Sequence, residues 1–173
     1  EMMAGGLQGF LVTKTFAEEY GVTTMDDLNN NADALAAFDA ADPVPGNGIA
    51  DIYGCQESWT CDDIILSQIA FSGWDNIQET IAGYDAMMAE AVDKANAGEP
   101  MVIYTWTPSA YVTQLIPGDN AMWLAVEETS VLDGSITPEF SQLVDGAAAP
   151  AALGPETCSN QPCYLGWIAA DIQ

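Results

Sequence analysis

The chain has 173 residues, 49% of them hydrophobic, enough for one domain with its own core and too few to expect two, and an apolar content that argues against disorder. Charge is the outlier: 26 acidic residues face two lysines, Lys14 and Lys94, with no arginine and no histidine, for a formal net charge of −24. Such a surface repels phosphate backbones and anionic membranes, so nucleic acid and lipid surfaces are poor partners; solubility or adaptation to salty surroundings explains it more simply than attraction of cationic ligands.

LQGFLVT (7–13) reads as a strand and TFAEEYG (15–21) as a short helix closed by Gly21. Across MDDLNNNADALAAFDAAD (25–42), Leu28, Leu35 and Phe38 recur at helical spacing. A turn-rich loop, DPVPGNG (42–48), leads into a strand, IADIYG (49–54), and then into GCQESWTCDD (54–63). The spacing of Ile64, Ile65 and Ile69 predicts a helix over about 60–72. YDAMMAEAVDKANAGEP (84–100) is the clearest helix, with Gly98 at its C-terminus and Pro100 breaking it. MVIYTW (101–106) and AMWLAV (121–126) read as buried strands around a short helix, SAYVTQLI, that PGDN ends. Residues 129–163 are loop-like and rich in Gly, Ala and Pro, and GWIAADIQ closes the chain as a strand. Strands separated by helices of this length argue for βαβ units and a mainly parallel sheet.

No stretch approaches the roughly 18–20 apolar residues of a membrane span. The chain opens at EMMAGG and stops at IAADIQ inside an expected strand, so it reads as a piece of a longer exported protein. Its four cysteines fall as two close pairs, Cys55 with Cys61 and Cys158 with Cys163. Three connectivities are open to them, of which local pairing is the simplest, and disulfides point to an oxidising compartment. Zinc ligands usually stand two to four residues apart, and these spacings are wider and less even, so no metal is expected. The segment 39–51 carries acids and glycines but lacks the alternating oxygen ligands and closing glutamate of a calcium loop.

Catalysis is poorly supplied. Without histidine the usual Ser-His and Cys-His pairs cannot be built. Asp62 and Asp63 would diverge by about 100° on a helix and suit its first turn, where negative charge complements the dipole. No enzyme activity and no cofactor are expected.

Two tryptophans stand out by position. Trp59 lies in the cysteine-bounded loop after a strand, and Trp106 ends the strand MVIYTW. In open α/β sheets, ligands bind beyond the carboxyl ends of the strands, where both would sit. The loop also feeds a helix N-terminus, whose free backbone N–H groups form a ready anion site. Aromatic faces beside such a site suit a zwitterion with a quaternary ammonium at one end and a carboxylate at the other. A cation over tryptophan gains about 0.5–1 kcal/mol when exposed and about 2 or more when desolvated. Composition alone still favours core packing for both residues, as it does for Trp74, Trp123 and Trp167.

GCQESWTCDD, YDAMMAEAV, and VIYTWTP followed by IPGDNAMWLAV resemble the glycine betaine/proline betaine substrate-binding proteins of ABC importers. The similarity runs in the same order from GGLQGFLV to YLGWIAADIQ. It implies a three-layer α/β lobe of the type II periplasmic-binding-protein fold, a mainly parallel sheet flanked by helices. Residues 1–173 would form one ligand-binding lobe, with the first lobe of the same protein as its partner. It further implies that Trp59 and Trp106 belong to an aromatic box around a trimethylammonium group, and that the N–H groups of Thr60 and Cys61 hold the ligand carboxylate. Thr60 stands where a glycine is common in the family. Cys55 and Cys61 would form the family's loop disulfide, and Cys158 and Cys163 a separate loop staple.

The remaining implications are an extracytoplasmic location, periplasmic or lipid-anchored, a membrane ABC permease as partner, and an osmoprotectant such as glycine betaine as ligand. Choline, carnitine, ectoine and dimethylsulfoniopropionate are alternative ligands. A non-transport interaction module on the same fold is the alternative of a different class.

Overall fold

The computed structural model describes residues 7–126. In chain order these form β1 (Leu7–Thr13), α1 (Lys14–Tyr20), α2 (Met25–Asn30), α3 (Ala32–Asp39), β2 (Ala50–Tyr53), α4 (Thr60–Ser72), β3 (Ile77–Thr80), α5 (Tyr84–Ala97), β4 (Val102–Thr107) and β5 (Ala121–Trp123), with a 3-10 turn at Tyr111–Thr113. The expected strand at the C-terminus and Trp167 lie outside the described residues. So do Cys158 and Cys163, and with them the second disulfide expected from the sequence.

Side-chain alternation along the strands sorts the core into two layers. Phe10 and Val12 of β1, Ala50 and Ile52 of β2, and Val102 and Tyr104 of β4 point to one face. There they meet Phe16, Met25, Leu28, Phe38 and Ile65 from α1 to α4. Leu11, Tyr53 and Ile103 point to the other face and pack on Met87, Met88, Ala91 and Ala95 of α5. Helices on both sides of one sheet make the expected three layers. Trp74 and Trp123 are buried, as packing residues should be. Trp74 sets its ring edge-on to Phe10 at 6.2 Å and donates its indole N–H to Asp26 Oδ1 at 3.0 Å.

The strand order is β3-β2-β4-β1-β5. β2 is parallel to β3 and to β4, whereas β1 runs antiparallel to β4 and β5 between them. Four strands therefore share one direction and β1 opposes them. From β2 the chain crosses through α4 outward to β3, then through α5 back past β2 to β4. The carboxyl ends of β2 and β4 consequently flank the point where connections leave in opposite directions, the place where open α/β sheets form a crevice.

Local chemistry explains where the structure departs from the expected elements. The helical segment 25–42 is two helices, because Asn31 adopts an extended backbone (φ −92°, ψ 103°). Its side-chain oxygen accepts from Asp33 N (3.1 Å) and Ala34 N (3.2 Å), starting α3. Its amide nitrogen donates to Tyr20 O at 3.0 Å, tying the break to the end of α1. β3 carries too little apolar alternation, IQET, to be read as a strand. β5 is shorter than expected: after Trp123 the chain turns, so that Ala125 N bonds to Thr23 O (3.0 Å) and Met25 N to Ala125 O (3.0 Å). The short helix expected over 109–116 is a single 3-10 turn. Gly98 ends α5 with φ 75°, the left-handed conformation that the expected C-cap requires.

α2 starts with a capping box. Asp27 N donates to Thr24 Oγ1 at 2.9 Å, and Thr24 N donates to Asp27 Oδ2 at 2.9 Å. Burial pushes the Asp27 pKa up, but the hydrogen bonds from Thr23 and Thr24 outweigh it and leave the carboxyl below its ordinary value. Thr24→Ala removes the cap and is expected to lower the unfolding free energy by about 1 kcal/mol in denaturant titrations.

Candidate functional site

The loop that leaves β2 is pinned at both ends. Cys55 follows the strand and is buried, and Cys61 sits in the first turn of α4; the two are joined by a disulfide with Cα atoms 5.9 Å apart. This is the pairing the family resemblance implies. Between them Ser58 adopts φ 83°, a left-handed conformation uncommon for a residue with a side chain. Trp59 N then bonds to Gln56 O at 3.0 Å, closing the turn. The other expected staple, Cys158 with Cys163, falls outside the described residues and has no part in this site.

Trp59 occupies the N-cap of α4 with an extended backbone (φ −87°, ψ 146°) and makes no side-chain cap. An indole has no acceptor to offer the first turn. Asp62 N bonds back to Trp59 O at 3.1 Å. Thr60 and Cys61 open the helix at positions where backbone N–H groups have no intrahelical acceptor. The helix start is thus left open to an external anion.

The ring of Trp59 turns the other way, into an aromatic cluster over the carboxyl edge of the sheet. It packs on Tyr84 with centroids 5.4 Å apart and meets Trp106 edge-on at 5.9 Å and 69°. Tyr84 lies against Trp106 at 5.1 Å, and Tyr111 contacts both Tyr84 (5.1 Å) and Trp106 (5.9 Å). Four elements supply these rings: the α4 cap, the first residue of α5, the end of β4 and the 3-10 turn. Tyr84 is the floor, 2% exposed, and its hydroxyl donates to Tyr104 O at 2.8 Å; Trp59 is 36% exposed at the rim. Burial pushes the Tyr84 phenol well above its ordinary pKa, so it stays neutral.

The neighbouring contacts hold the rim. Tyr111 donates its hydroxyl to Asp85 Oδ1 at 2.6 Å, and that bond raises the tyrosine pKa. Ser109 Oγ donates to Trp106 O at 2.7 Å, just after the cis Thr107–Pro108 peptide. The two lysines are engaged elsewhere: Lys14 bonds to Gly118 O and stands 3.9 Å from Glu18, while Lys94 bonds to Ala41 O and stands 3.9 Å from Glu90. Among the described residues, an anion here would meet backbone amides rather than a side-chain cation.

The structure brings together all four of the ligand-binding residues expected from sequence, Trp59, Thr60, Cys61 and Trp106, at the carboxyl ends of β2 and β4. Sequence reasoning missed Tyr84 and Tyr111. Tyr84 opens α5 after β3, so its place at this edge was hidden while β3 itself went unread. Among the described residues, no cluster of His, Cys, Asp and Glu has the arrangement of a metal site, and no helix is long and apolar enough to cross a membrane.

Residues 1–124 match the family of substrate-binding domains of ABC-type glycine betaine transport systems. This chain belongs to that family. It is 33% identical over 146 residues to the glycine betaine-binding periplasmic protein OusX of Dickeya dadantii, a match covering 84% of this chain and 42% of that protein. It is likewise 33% identical over 123 residues to the glycine betaine/proline betaine-binding periplasmic protein of Escherichia coli K12, covering 70% of this chain and 36% of that one. The chain thus spans about two fifths of the length of these curated relatives. Its fold is similar to that of the glycine betaine, L-proline-binding protein ProX of Borrelia burgdorferi, with TM-score 0.52 and 12% identity over 97% of this chain and 61% of that one. The α/β lobe expected from the sequence is the fold observed.

Freeing the loop tests how firmly it is built. Reducing the Cys55–Cys61 bridge reopens a seven-residue segment and is expected to lower the unfolding free energy by about 2 kcal/mol, read by denaturant titration with and without a phosphine reductant.

Proposed function

We propose that this chain is one lobe of an extracytoplasmic two-lobed binding protein that captures a quaternary-ammonium zwitterion of the glycine betaine type and delivers it to a membrane ABC permease. One observation carries the reading: Trp59 presents its ring to the aromatic cluster while its backbone starts α4 without a cap. In this reading adjacent residues supply a cation-binding face and an anion-binding helix start, as a compact zwitterion requires.

In this reading the trimethylammonium group lies on the faces of Trp59 and Trp106, with Tyr84 beneath and Tyr111 beside them. The ligand carboxylate accepts hydrogen bonds from Thr60 N and Cys61 N, aided by the positive end of the helix dipole. Trp59 and Trp106 meet edge to face, so a full enclosure of the cation draws on the opposing lobe. Closing that lobe also removes water, which is what raises a cation–π contact from about 0.5–1 to about 2 kcal/mol or more. The relatives are periplasmic proteins, and the Cys55–Cys61 bridge suits an oxidising compartment outside the cytoplasm. The bridge holds Trp59 in place before the ligand arrives, sparing part of the ordering cost.

Calorimetry with glycine betaine, on the protein in which this chain sits with its other lobe, tests the assignment. Trp59→Ala or Trp106→Ala should each weaken binding by about 1–3 kcal/mol, and unchanged affinity would remove those residues from the site. Competition by choline, carnitine, ectoine and dimethylsulfoniopropionate ranks the ligands. Choline lacks the carboxylate, so glycine betaine should shift the amide resonances of Thr60 and Cys61 where choline does not.

A further inference from the structure

Beneath the cysteine-bounded loop lies a buried pair of acids that ligand capture does not use. Glu79 of β3 and Asp62 of α4 are each 8% exposed. Glu79 points to the same sheet face as Ile77, towards α4, and lies opposite Ile52 of β2 in the ladder. Its Oε1 accepts from Cys55 N at 2.9 Å. Its stem occupies the space a side chain on residue 54 would need: a Cβ on Gly54 would stand 1.8 Å from Glu79 Oε1 and 2.3 Å from its Cδ. Glu79 is therefore built into the start of the loop.

One further oxygen of each acid has no ordinary donor. Glu79 Oε2 and Asp62 Oδ1 are buried and meet no N–H or O–H of another residue. Cys55, whose N–H Glu79 accepts, is bridged to Cys61, the residue before Asp62, so the two acids are held at the same end of the loop, and the Asp62 carboxyl acts on Glu79. Two ionised carboxylates repel, and neither can donate; a proton held between them supplies the missing donor. No cation offsets them. Asp62 is the charged group that acts on Glu79 among the described residues, and Asp51 and Tyr53 of the adjacent strand alternate to the opposite face.

We propose that Glu79 and Asp62 share one proton under the Cys55–Cys61 loop, and that this proton makes the anchoring of the loop and of the first turn of α4 sensitive to pH. Burial first, then the charge and hydrogen bond of Asp62, push Glu79 up to about 7, against the lowering effect of Cys55 N–H. The folded chain then holds the proton more tightly than the unfolded chain, in which glutamate titrates near its ordinary value. The contribution is fully present below the ordinary glutamate range and is lost as pH rises through about 7. The chain has no histidine, so no unperturbed side chain masks this window between roughly pH 5.5 and 7.5.

Thermal unfolding and tryptophan emission of the full chain, followed from pH 5.5 to 8 at fixed ionic strength, provide the test without any ligand. The wild-type midpoint should fall by roughly 4 °C or more across this range, with a matching change in emission. Glu79→Gln keeps an acceptor for Cys55 N and gives Asp62 a permanent donor, so both profiles should become flat. Asp62→Asn removes the second acid and supplies a donor to Glu79, which stays buried and titratable. The transition should therefore shrink and move to lower pH, which keeps the test available if Glu79→Gln fails to fold. A flat wild-type profile, a transition that persists in Glu79→Gln, or one left unchanged in Asp62→Asn overturns the proposal.

Discussion

The Cys55–Cys61 bridge joins a strand end to a helix start. Cys55 leaves β2 and Cys61 stands in the first turn of α4, so the covalent link fixes the distance over which the intervening residues must turn. Within that constraint Ser58 is driven to positive φ, and Trp59 emerges as the N-cap of the helix. The same link sets the height of the indole ring above Tyr84 and Trp106. The aromatic cluster and the open helix start are thus two outcomes of one closed loop, and the switch point between β2 and β4 places both at the edge of the sheet.

Much of this was legible in the sequence because the signals are local. β1 and β4 announce themselves through apolar runs, and α5 through a long periodic stretch ended by Gly98. Trp59 and Trp106 could be placed at strand ends for the same reason. What stayed hidden depends on partners far along the chain. β3 is held by parallel pairing to β2, and its one buried acid accepts from Cys55 N across the fold. Asn31 looked like one more residue of an asparagine run inside a helical stretch. Its bond to Tyr20 O and its cap on α3 turn it into a break. Tyr84 and Tyr111 join the site only once β3 and the 3-10 turn have been located.

The charge balance also shapes the interior. With two lysines against 26 acids, cations are too scarce to neutralise the carboxylates that the fold takes up. Backbone amides take that role instead: Asp42 accepts from Val44 N (3.0 Å) and Asp51 N (3.0 Å), Asp39 from Gly46 N (2.9 Å) and Asn47 N (3.0 Å), and Asp27 from Thr23 N (2.8 Å) and Thr24 N (2.9 Å). Each such bond closes a turn as well as satisfying a charge. A ligand carboxylate held by Thr60 N and Cys61 N would follow a habit the chain already uses for its own acids.

Gly54 gives this arrangement a steric condition. Because the Glu79 side chain fills the place of any Cβ at residue 54, the two positions are coupled by volume. A side chain at residue 54 would require the Glu79 carboxyl to move away from its place beside Cys55 N, whereas a short residue at position 79 would leave room there for alanine or serine. Paired variation at these two positions, rather than invariance at either alone, would then mark the lineages that retained the buried acid.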